Sequence, residues 1–315
     1  MQSAEMQFKE VMLEMSHNCN ISCQMCGFGF RYNPVNKEKF MPADNFRRYV
    51  DMFAGKTSVL RLNGRGESTI HPNFKELLLW THRKYPTLQL NLFTNASFND
   101  PALIEVLIAC NVLVFVSFDS TKKELLEKIR FGCRYEQVVS NIDRLREHKT
   151  RPFIICTLQM DNIEEIEALG HFAFEKNCSI IYNSIRSDDE STIADYHDYI
   201  RNHVDEVAAS FNHIAELYTD SGLQCLIPDQ IGGITINSKG KTTTHGTMSH
   251  CPAINNELCI LFDGTVTPCN MFNPYVYGNL STSTLEEILL GVKYANFKKL
   301  YKVHYYCKNC ANLGV

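Results

Sequence analysis

Three cysteines near the N-terminus constrain this chain more than any other feature. Cys19, Cys23 and Cys26 follow the spacing C-x3-C-x2-C. Thiols on so short a loop can converge on one centre, and soft thiolates select iron–sulfur clusters or zinc. A closed structural zinc site needs four ligands, so a zinc knot here would need one more, such as Cys110 or His17. Three thiolates alone would leave one iron of a four-iron cluster open to another ligand.

The composition excludes several other classes of protein. The net charge of −4 over 315 residues gives no reason to expect a nucleic-acid partner or an anionic membrane. The longest apolar runs, such as residues 112–116, are far shorter than the roughly 20 residues that span a bilayer. Residues 1–15 contain acidic side chains and no signal-peptide core. We therefore expect a cytoplasmic protein without nucleic-acid or membrane partners, in which clustered cysteines bind metal.

Strand and helix patterns alternate through the first two thirds of the chain. Several of the strand segments are apolar on both faces, which is typical of a parallel sheet covered by helices. With a long helix near 195–219 as the last element, the pattern gives six strand–helix units and predicts an α/β fold, a partial (β/α)6 TIM-type barrel. The predicted strands lie near residues 8–15, 59–62, 88–93, 112–118, 153–158 and 179–182.

Sites in parallel barrels lie where the carboxyl ends of the strands meet. Cys19, the segment 64–67, Asn95 and the segment 117–119 each follow a predicted strand. The sequence therefore places all of them at one mouth of the barrel.

The pattern of predicted elements changes after residue 221. Short strand segments are separated by glycine-containing turns such as Gly232-Gly233 and Asp263-Gly264, as in β-hairpins. A helix is predicted over 283–291, with Ser283 and Glu286 as its capping box. The polar segment 183–194 is predicted to be an exposed loop. We therefore expect a barrel domain over 1–221 and a small domain of β-hairpins and a helix over 222–315.

The small domain carries a second set of cysteines. Four thiolates can close a 4Fe–4S cluster or an all-thiolate zinc site, and their spacing does not decide between the two. The four cysteines are Cys251, Cys269, Cys307 and Cys310.

Both cysteine patterns resemble one family. C-x3-C-x2-C after a first strand resembles the radical S-adenosylmethionine (radical SAM) superfamily, although Met25 stands where many members carry an aromatic residue. The run from Cys251-Pro252 through Phe262-Asp263-Gly264 to the final C-x2-C resembles the C-terminal twitch or SPASM domain of such enzymes. The larger SPASM version has more cysteines and two auxiliary clusters. With four cysteines plus Cys259, the resemblance implies one auxiliary 4Fe–4S cluster.

The resemblance also implies a fold and an activity. It implies a partial barrel in which a 4Fe–4S cluster binds the amino and carboxylate groups of S-adenosylmethionine. Reductive cleavage of that molecule gives a 5′-deoxyadenosyl radical, which removes hydrogen from an unactivated C–H bond. It further implies an external electron donor such as flavodoxin or ferredoxin.

The segment Gly64-Arg65-Gly66-Glu67 resembles the family's "GGE" motif, with Arg65 inserted between the glycines. The implied role of Gly64 and Gly66 is close backbone approach to the methionyl amino group. Glu67 either supports this loop or reaches into the site.

Four more residues at the barrel mouth are candidate nucleotide contacts. By resemblance, Ser117 contacts the ribose and Arg130 the carboxylate, for which a guanidinium fork is suited. Asn95 and Asp119 face the same mouth. Simpler interpretations are a strand-end cap for Ser117 and a surface helix charge for Arg130.

The fate of the substrate radical is left open by the sequence. Epimerisation needs a hydrogen-atom donor, for which Cys225 is the first candidate and Cys259 the second. The simpler interpretation of either residue is a structural thiol. Dehydrogenation of a hydroxyl or amino-sugar substrate would use the auxiliary cluster as electron acceptor. Crosslinking of a peptide often comes with a leader-binding domain, and only 18 residues precede Cys19. We expect epimerisation of a peptide or aminoglycoside-type natural product; a non-enzymatic electron carrier is the remaining alternative.

Overall fold

The computed structural model describes residues 7–27, 36–147, 151–185, 190–228, 230–231, 234–236, 251, 253–270, 275–304 and 307. Within these residues the strands are β1 Glu10–Leu13, β2 Ser22–Cys23, β3 Val59–Arg61, β4 Gln89–Thr94, β5 Leu113–Ser117, β6 Arg130–Phe131, β7 Phe153–Leu158, β8 Ser179–Ser184, β9 Cys225–Leu226, β10 Gln230–Ile231, β11 Ile234–Thr235, β12 Glu257–Ile260, β13 Thr265–Thr267 and β14 Gly278–Asn279.

Helices alternate with these strands along the chain. They are α1 Ala43–Phe53, α2 Phe74–Lys84, α3 Pro101–Ala109, α4 Lys123–Ile129, α5 Tyr135–Leu145, α6 Ile166–Glu175, α7 Glu190–Asn202, α8 Val204–Leu217, α9 Ala253–Asn256, α10 Leu285–Leu290 and α11 Val292–Leu300. Short 3-10 turns occur at Lys37–Lys39, Ser68–Ile70, Ile163–Glu165 and Tyr301–Val303. Among the described helices, none combines the length and apolar character needed to cross a bilayer.

One ten-stranded sheet runs through most of the chain, in the order β14-β13-β12-β1-β3-β4-β5-β7-β8-β9. The strands from β12 to β9 pair in parallel, and β12, β13 and β14 pair antiparallel. This arrangement confirms the predicted α/β fold with a partial barrel and a C-terminal antiparallel part. Because β12 pairs with β1 from Glu257 opposite Glu10 to Ile260 opposite Leu13, the second cysteine region continues the barrel sheet.

Alternate residues of the central strands face two different layers. Val114 and Val116 belong to the main core under the helices. Phe115 between them faces the inner side of the barrel and packs with Ile155 and Ile181. The Phe115 ring stacks on Phe93 with ring centroids 4.3 Å apart. The inner face of this side of the barrel is therefore aromatic and apolar.

The predicted long helix near 195–219 is wrong in its bounds, because α7 and α8 are separate. His203 separates them with non-helical backbone angles (φ −126°, ψ 26°), and its ring stacks on Tyr199. Helix α7 begins at Glu190, inside the segment predicted as a loop, because Tyr196 and Ile200 are buried and hold it to the core. Residues 186–189 of that segment lie outside the described residues.

The predicted capping box is one residue too early. Thr284, not Ser283, caps α10: its side chain accepts from the backbone N–H of Glu287, whose carboxylate accepts from the N–H of Thr284. This register turns Leu285 and Ile288 into the core. The buried face of the helix thus selects which of two adjacent hydroxyl residues becomes the cap.

Helices α6 and α8 pack at unusually short range at Gly170. A Cβ at this position would lie 2.5 Å from Cγ2 of Ile214 on α8. The Tyr218 hydroxyl donates to the Gly170 carbonyl at 3.1 Å. Glycine is therefore required here by the close helix contact.

We predict that Gly170→Ala destabilises the fold. Alanine is about 1 kcal/mol more favourable than glycine in a helix, but overpacking against Ile214 costs about 1–3 kcal/mol. The net effect is therefore a lower free energy of unfolding. The measurement is the thermal unfolding midpoint, which should fall by a few degrees. Gly55→Ala is the matched control, because nothing lies within 4 Å of the added methyl. Equal midpoints for the two variants would contradict the packing argument.

Candidate cluster and nucleotide site

The cysteine loop follows β1 and is held at three places. Its β2 segment pairs with β6, which sets Cys23 opposite Arg130. The Ser16 hydroxyl accepts from the N–H of Asn18 at 3.0 Å and fixes the turn before Cys19. The N–H of Cys26 donates to the Cys23 carbonyl at 3.1 Å.

The three loop thiols are spread more widely than one metal ion requires. In a tetrahedral zinc site with 2.3 Å bonds the sulfurs lie about 3.8 Å apart. Among the described residues, the loop cysteines do not form a group whose ligand atoms all lie within 4.8 Å. All three are partly exposed. The loop therefore presents three thiols that a ligand can reach.

Burial controls the protonation of these thiols. It raises the pKa of Cys19 to about 12, and the nearby Glu67 carboxylate raises this pKa further. Burial also raises the pKa of Cys23, while the Arg130 guanidinium opposes that shift. Metal binding at this loop must therefore release protons.

The glycine loop after β3 lies directly against the cysteine loop. A Cβ on Gly66 would clash with the carbonyl oxygens of Ser16 and Asn18. A Cβ on Gly64 would clash with the Glu14 side chain. The two glycines are thus needed for contact between the loops, in addition to the ligand approach predicted from sequence.

Glu67 supports this loop through its carboxylate. It accepts from the Thr69 hydroxyl at 2.7 Å, the Thr94 hydroxyl at 2.8 Å and the Asn95 N–H at 2.8 Å. It is fully buried, which raises its pKa. Of the two roles expected for Glu67, these contacts favour support of the loop.

Asn95 joins the end of β4 to the cysteine loop. Its amide nitrogen donates to the Asn20 side chain at 2.9 Å and lies 3.8 Å from the Cys19 sulfur. The Ser97 N–H donates to its amide oxygen at 2.8 Å. Asn95 thus lies beside the first thiol, and its direct contact with the nucleotide stays a prediction.

Arg130 and Asp119 form a buried pair behind Cys23. Arg130 Nε lies 2.6 Å from Asp119 Oδ2, and Nη1 donates to the Cys23 sulfur at 3.5 Å. The N–H of Thr157 donates to Asp119 Oδ1 at 2.7 Å. Arg130 is buried and begins β6, so the surface-charge interpretation is wrong. The predicted carboxylate contact of Arg130 and the nucleotide contact of Asp119 remain predictions.

Two further polar residues face the same mouth. Ser117 ends β5 half-buried, on the inner face with Phe115, so its predicted ribose contact stays open. Asn63, between β3 and Gly64, is buried, and within the described part of the chain its Oδ1 atom has no hydrogen-bond partner. A buried, unsatisfied acceptor fits a ligand that donates hydrogen bonds, as an amino group does. Sequence reasoning missed Asn63, although its position before the glycine loop could have indicated it.

Glu14 is the other residue that sequence reasoning missed. It is fully buried. Its carboxylate accepts from the Arg65 N–H at 2.8 Å and from the Phe262 N–H at 3.2 Å, and it lies 3.1 Å from His17 Nδ1. One carboxylate therefore joins the cysteine loop, the glycine loop and the C-terminal hairpin. The available signal was an acidic residue within an otherwise apolar strand end.

The described cysteines of the second set gather around one aromatic residue. The thiols of Cys269, Cys251 and Cys307 all raise the pKa of Tyr277, after the larger effects of burial and Tyr294. All three are partly buried. Cys310 lies outside the described residues.

The two candidate hydrogen donors face opposite sides of the sheet. Cys225 pairs with Ile180 and packs in the main core under the helices. Cys259 packs with Met12 and Leu261 in a separate inner cluster, 3.5 Å from the Met12 sulfur. The inner position favours Cys259 over Cys225, which reverses the order expected from sequence.

We predict that Glu14→Gln destabilises the protein by about 2 kcal/mol, because a buried donor loses its charged acceptor. Whichever way the amide is turned, its NH2 group faces a backbone N–H, either of Arg65 or of Phe262. The measurement is the anaerobic unfolding midpoint of the reconstituted protein. Glu38→Gln, at an exposed position, is the control. A midpoint that moves no more than in the control would show that Glu14 does not hold these segments together.

Two family models match the chain. The Radical SAM superfamily model matches residues 13–173, just over half of the chain. The SPASM model, an iron–sulfur cluster-binding domain, matches residues 251–311. These matched regions contain the two cysteine sets described above.

Relatives and solved structures agree with these matches. A tungsten-containing aldehyde ferredoxin oxidoreductase cofactor-modifying protein from Pyrococcus furiosus is 21% identical and aligns over 96% of this chain and 87% of its own length. The structure of anSMEcpe with bound AdoMet and Cp18Cys peptide is 20% identical, with a TM-score of 0.69 over 96% of this chain and 85% of that one. Streptococcus suis SuiB bound to its precursor peptide SuiA is 15% identical, with a TM-score of 0.62 over 99% of this chain and 71% of that one.

The fold, the cysteine loop and the family matches agree. The cofactors are a 4Fe–4S cluster with S-adenosylmethionine and an auxiliary iron–sulfur cluster of the SPASM type. This chain therefore belongs to the radical SAM superfamily and is an enzyme with a C-terminal SPASM domain.

Proposed function

We propose that this enzyme epimerises a carbon centre of a peptide, with the Cys259 thiol as the hydrogen-atom donor. A cluster held by Cys19, Cys23 and Cys26 would supply the electron for cleavage of S-adenosylmethionine and, through it, the radical chemistry that removes hydrogen from the substrate. The remaining steps depend on how this chain holds the nucleotide, the substrate and the donor thiol.

The position of Cys259 carries the proposal. It lies on the inner face of β12, next to β1. A crevice too narrow to hold a water molecule is lined by Cys259, Met12, Arg61 and Cys269, one of the predicted auxiliary-cluster cysteines. The crevice is too small for a ligand, so in this proposal the substrate lies above these residues, at the barrel mouth.

The chemistry of the thiol suits hydrogen-atom transfer. Burial raises the pKa of Cys259 to about 12, which keeps the S–H bond intact at neutral pH. In the proposed step, the S–H bond breaks and a C–H bond forms on the face opposite to the first abstraction. The sulfur radical left behind takes one electron, from an external flavodoxin- or ferredoxin-type donor, and one proton.

The choice of a peptide over an amino sugar rests on similarity. The two compared structures hold peptides, and both align over nearly all of this chain. Their low sequence identity transfers the fold alone, so the substrate class is part of the proposal. An aminoglycoside-type natural product is the second substrate class.

In this proposal, each residue at the barrel mouth contacts a different part of the nucleotide. Gly64 and Gly66 let the backbone approach the methionyl amino group, for which Asn63 Oδ1 is an acceptor. Ser117 contacts the ribose. Arg130, held by Asp119, would contact the methionyl carboxylate.

Dehydrogenation is the second candidate, and one observation favours it. Glu10, Arg61 and Glu257 form a charged group along the same crevice. Arg61 Nη2 lies 2.8 Å from Glu10 Oε1. Burial raises the pKa of Glu10, which brings it closer to the range of a general base. The carboxylate would take the proton while an auxiliary cluster beside Cys269 takes the electron. Peptide crosslinking would also remove two hydrogens from the substrate.

We predict distinct outcomes for two cysteine variants. Reconstituted enzyme, reduced anaerobically in D2O, is given S-adenosylmethionine with a pool of synthetic peptides or a pool of aminocyclitols. 5′-Deoxyadenosine formation above the rate without a pool identifies the substrate class. Wild type should yield an epimer with one solvent deuterium. Cys259→Ala should still form 5′-deoxyadenosine but little epimer, whereas the control Cys225→Ala should behave as wild type.

The alternatives give different products. A product that lacks two hydrogens, with Glu10→Gln slower than wild type, would replace epimerisation by dehydrogenation. Two lost hydrogens with a new bond within the peptide would indicate crosslinking. Unchanged epimer yield from Cys259→Ala would remove Cys259 from the mechanism.

A further inference from the structure

Three metal-binding side chains meet on the outer surface, away from both cysteine sets. Glu167 and His171 lie on α6, and His213 lies on α8. Their ligand atoms all lie within 4.8 Å of one another. His213 Nδ1 is 2.9 Å from Glu167 Oε2, and the two histidine rings are 5.7 Å apart between centroids. Both histidines are exposed, so an ion can reach them from solvent.

The close packing of α6 against α8 positions these three side chains. Glu167 and His171 are four residues apart on one helix and therefore lie on one face. Gly170 and Ile214, next to His171 and His213 in sequence, form the close contact between α6 and α8. The spacing of the three side chains is thus set by a tight helix pair and not by loops.

We propose that Glu167, His171 and His213 bind a divalent transition-metal ion of the zinc type. Two imidazoles and one carboxylate are a ligand set that zinc takes, with water in the fourth position. Ligand atoms in such a site lie about 3.3 Å apart, so small side-chain rotations suffice to close it from the present spread. The direct contact between Glu167 and His213 would then be replaced by bonds to the metal.

Bound zinc would tie α6 to α8 on the outside of the barrel. An ion that binds the folded chain and not the unfolded one stabilises the fold. This site involves no residue of the cluster, nucleotide or substrate machinery. A failed test of this metal site would therefore leave the proposed epimerisation unaffected, and the reverse also holds.

The test uses tag-free, reconstituted enzyme with its iron–sulfur clusters in place. The protein is dialysed anaerobically against micromolar zinc, and zinc and iron are counted together. Wild type should retain about one zinc per chain without loss of iron. His171→Ala/His213→Ala should lose this zinc, while His82→Ala, on α2, should keep it. Zinc should raise the melting temperature of wild type and of His82→Ala only.

A single, milder variant guards against misfolding of the double variant. Glu167→Gln keeps the shape of the side chain and should weaken zinc binding by about tenfold or more. Equal zinc retention by wild type and the double variant would overturn the proposal. So would the absence of retained zinc in wild type, or zinc uptake matched by loss of iron, which would place the metal at the cysteines.

Discussion

The buried carboxylate of Glu14 is the interaction on which the arrangement of this site depends. It accepts hydrogen bonds from the glycine loop at Arg65 and from the C-terminal hairpin at Phe262, and it contacts His17 in the cysteine loop. Gly64 must lack a side chain because Glu14 occupies that space. A buried charge is stable only when its hydrogen bonds are satisfied. This one side chain therefore joins the glycine loop and the C-terminal hairpin to the cysteine loop, in addition to the pairing of β12 with β1.

A second buried pair acts on the cysteine loop from the other side. Asp119 holds Arg130, and Arg130 donates to the Cys23 sulfur. Hydrogen bonds and positive charge near cluster sulfurs raise the reduction potential of a cluster. Arg130 can thus influence electron transfer to the cluster, and its contact with the nucleotide stays a proposal. This influence follows from the burial of Arg130 between β2 and Asp119.

The sequence predicted the barrel because its strands are apolar on both faces, and it predicted the mouth because loops after parallel strands meet there. It could not predict the position of Arg130. Strand β6 has two residues and pairs with the cysteine loop, and no local pattern encodes that pairing. The role of Glu14 was also hidden, since its partners are 51 and 248 residues away along the chain. Cys225 and Cys259 could be distinguished only once the register of β9 and β12 fixed the face of each thiol.

An iron and sulfide count tests the two cluster assignments most directly. The protein is reconstituted anaerobically, and the count is repeated with Cys19, Cys23 and Cys26 all changed to alanine. Two four-iron clusters predict about eight irons, falling to about four in the variant. About four irons falling to none, with zinc retained, would instead make the C-terminal cysteines a zinc site and contradict the auxiliary cluster. An iron count that the three substitutions leave unchanged would contradict the cluster assignment of the N-terminal loop itself.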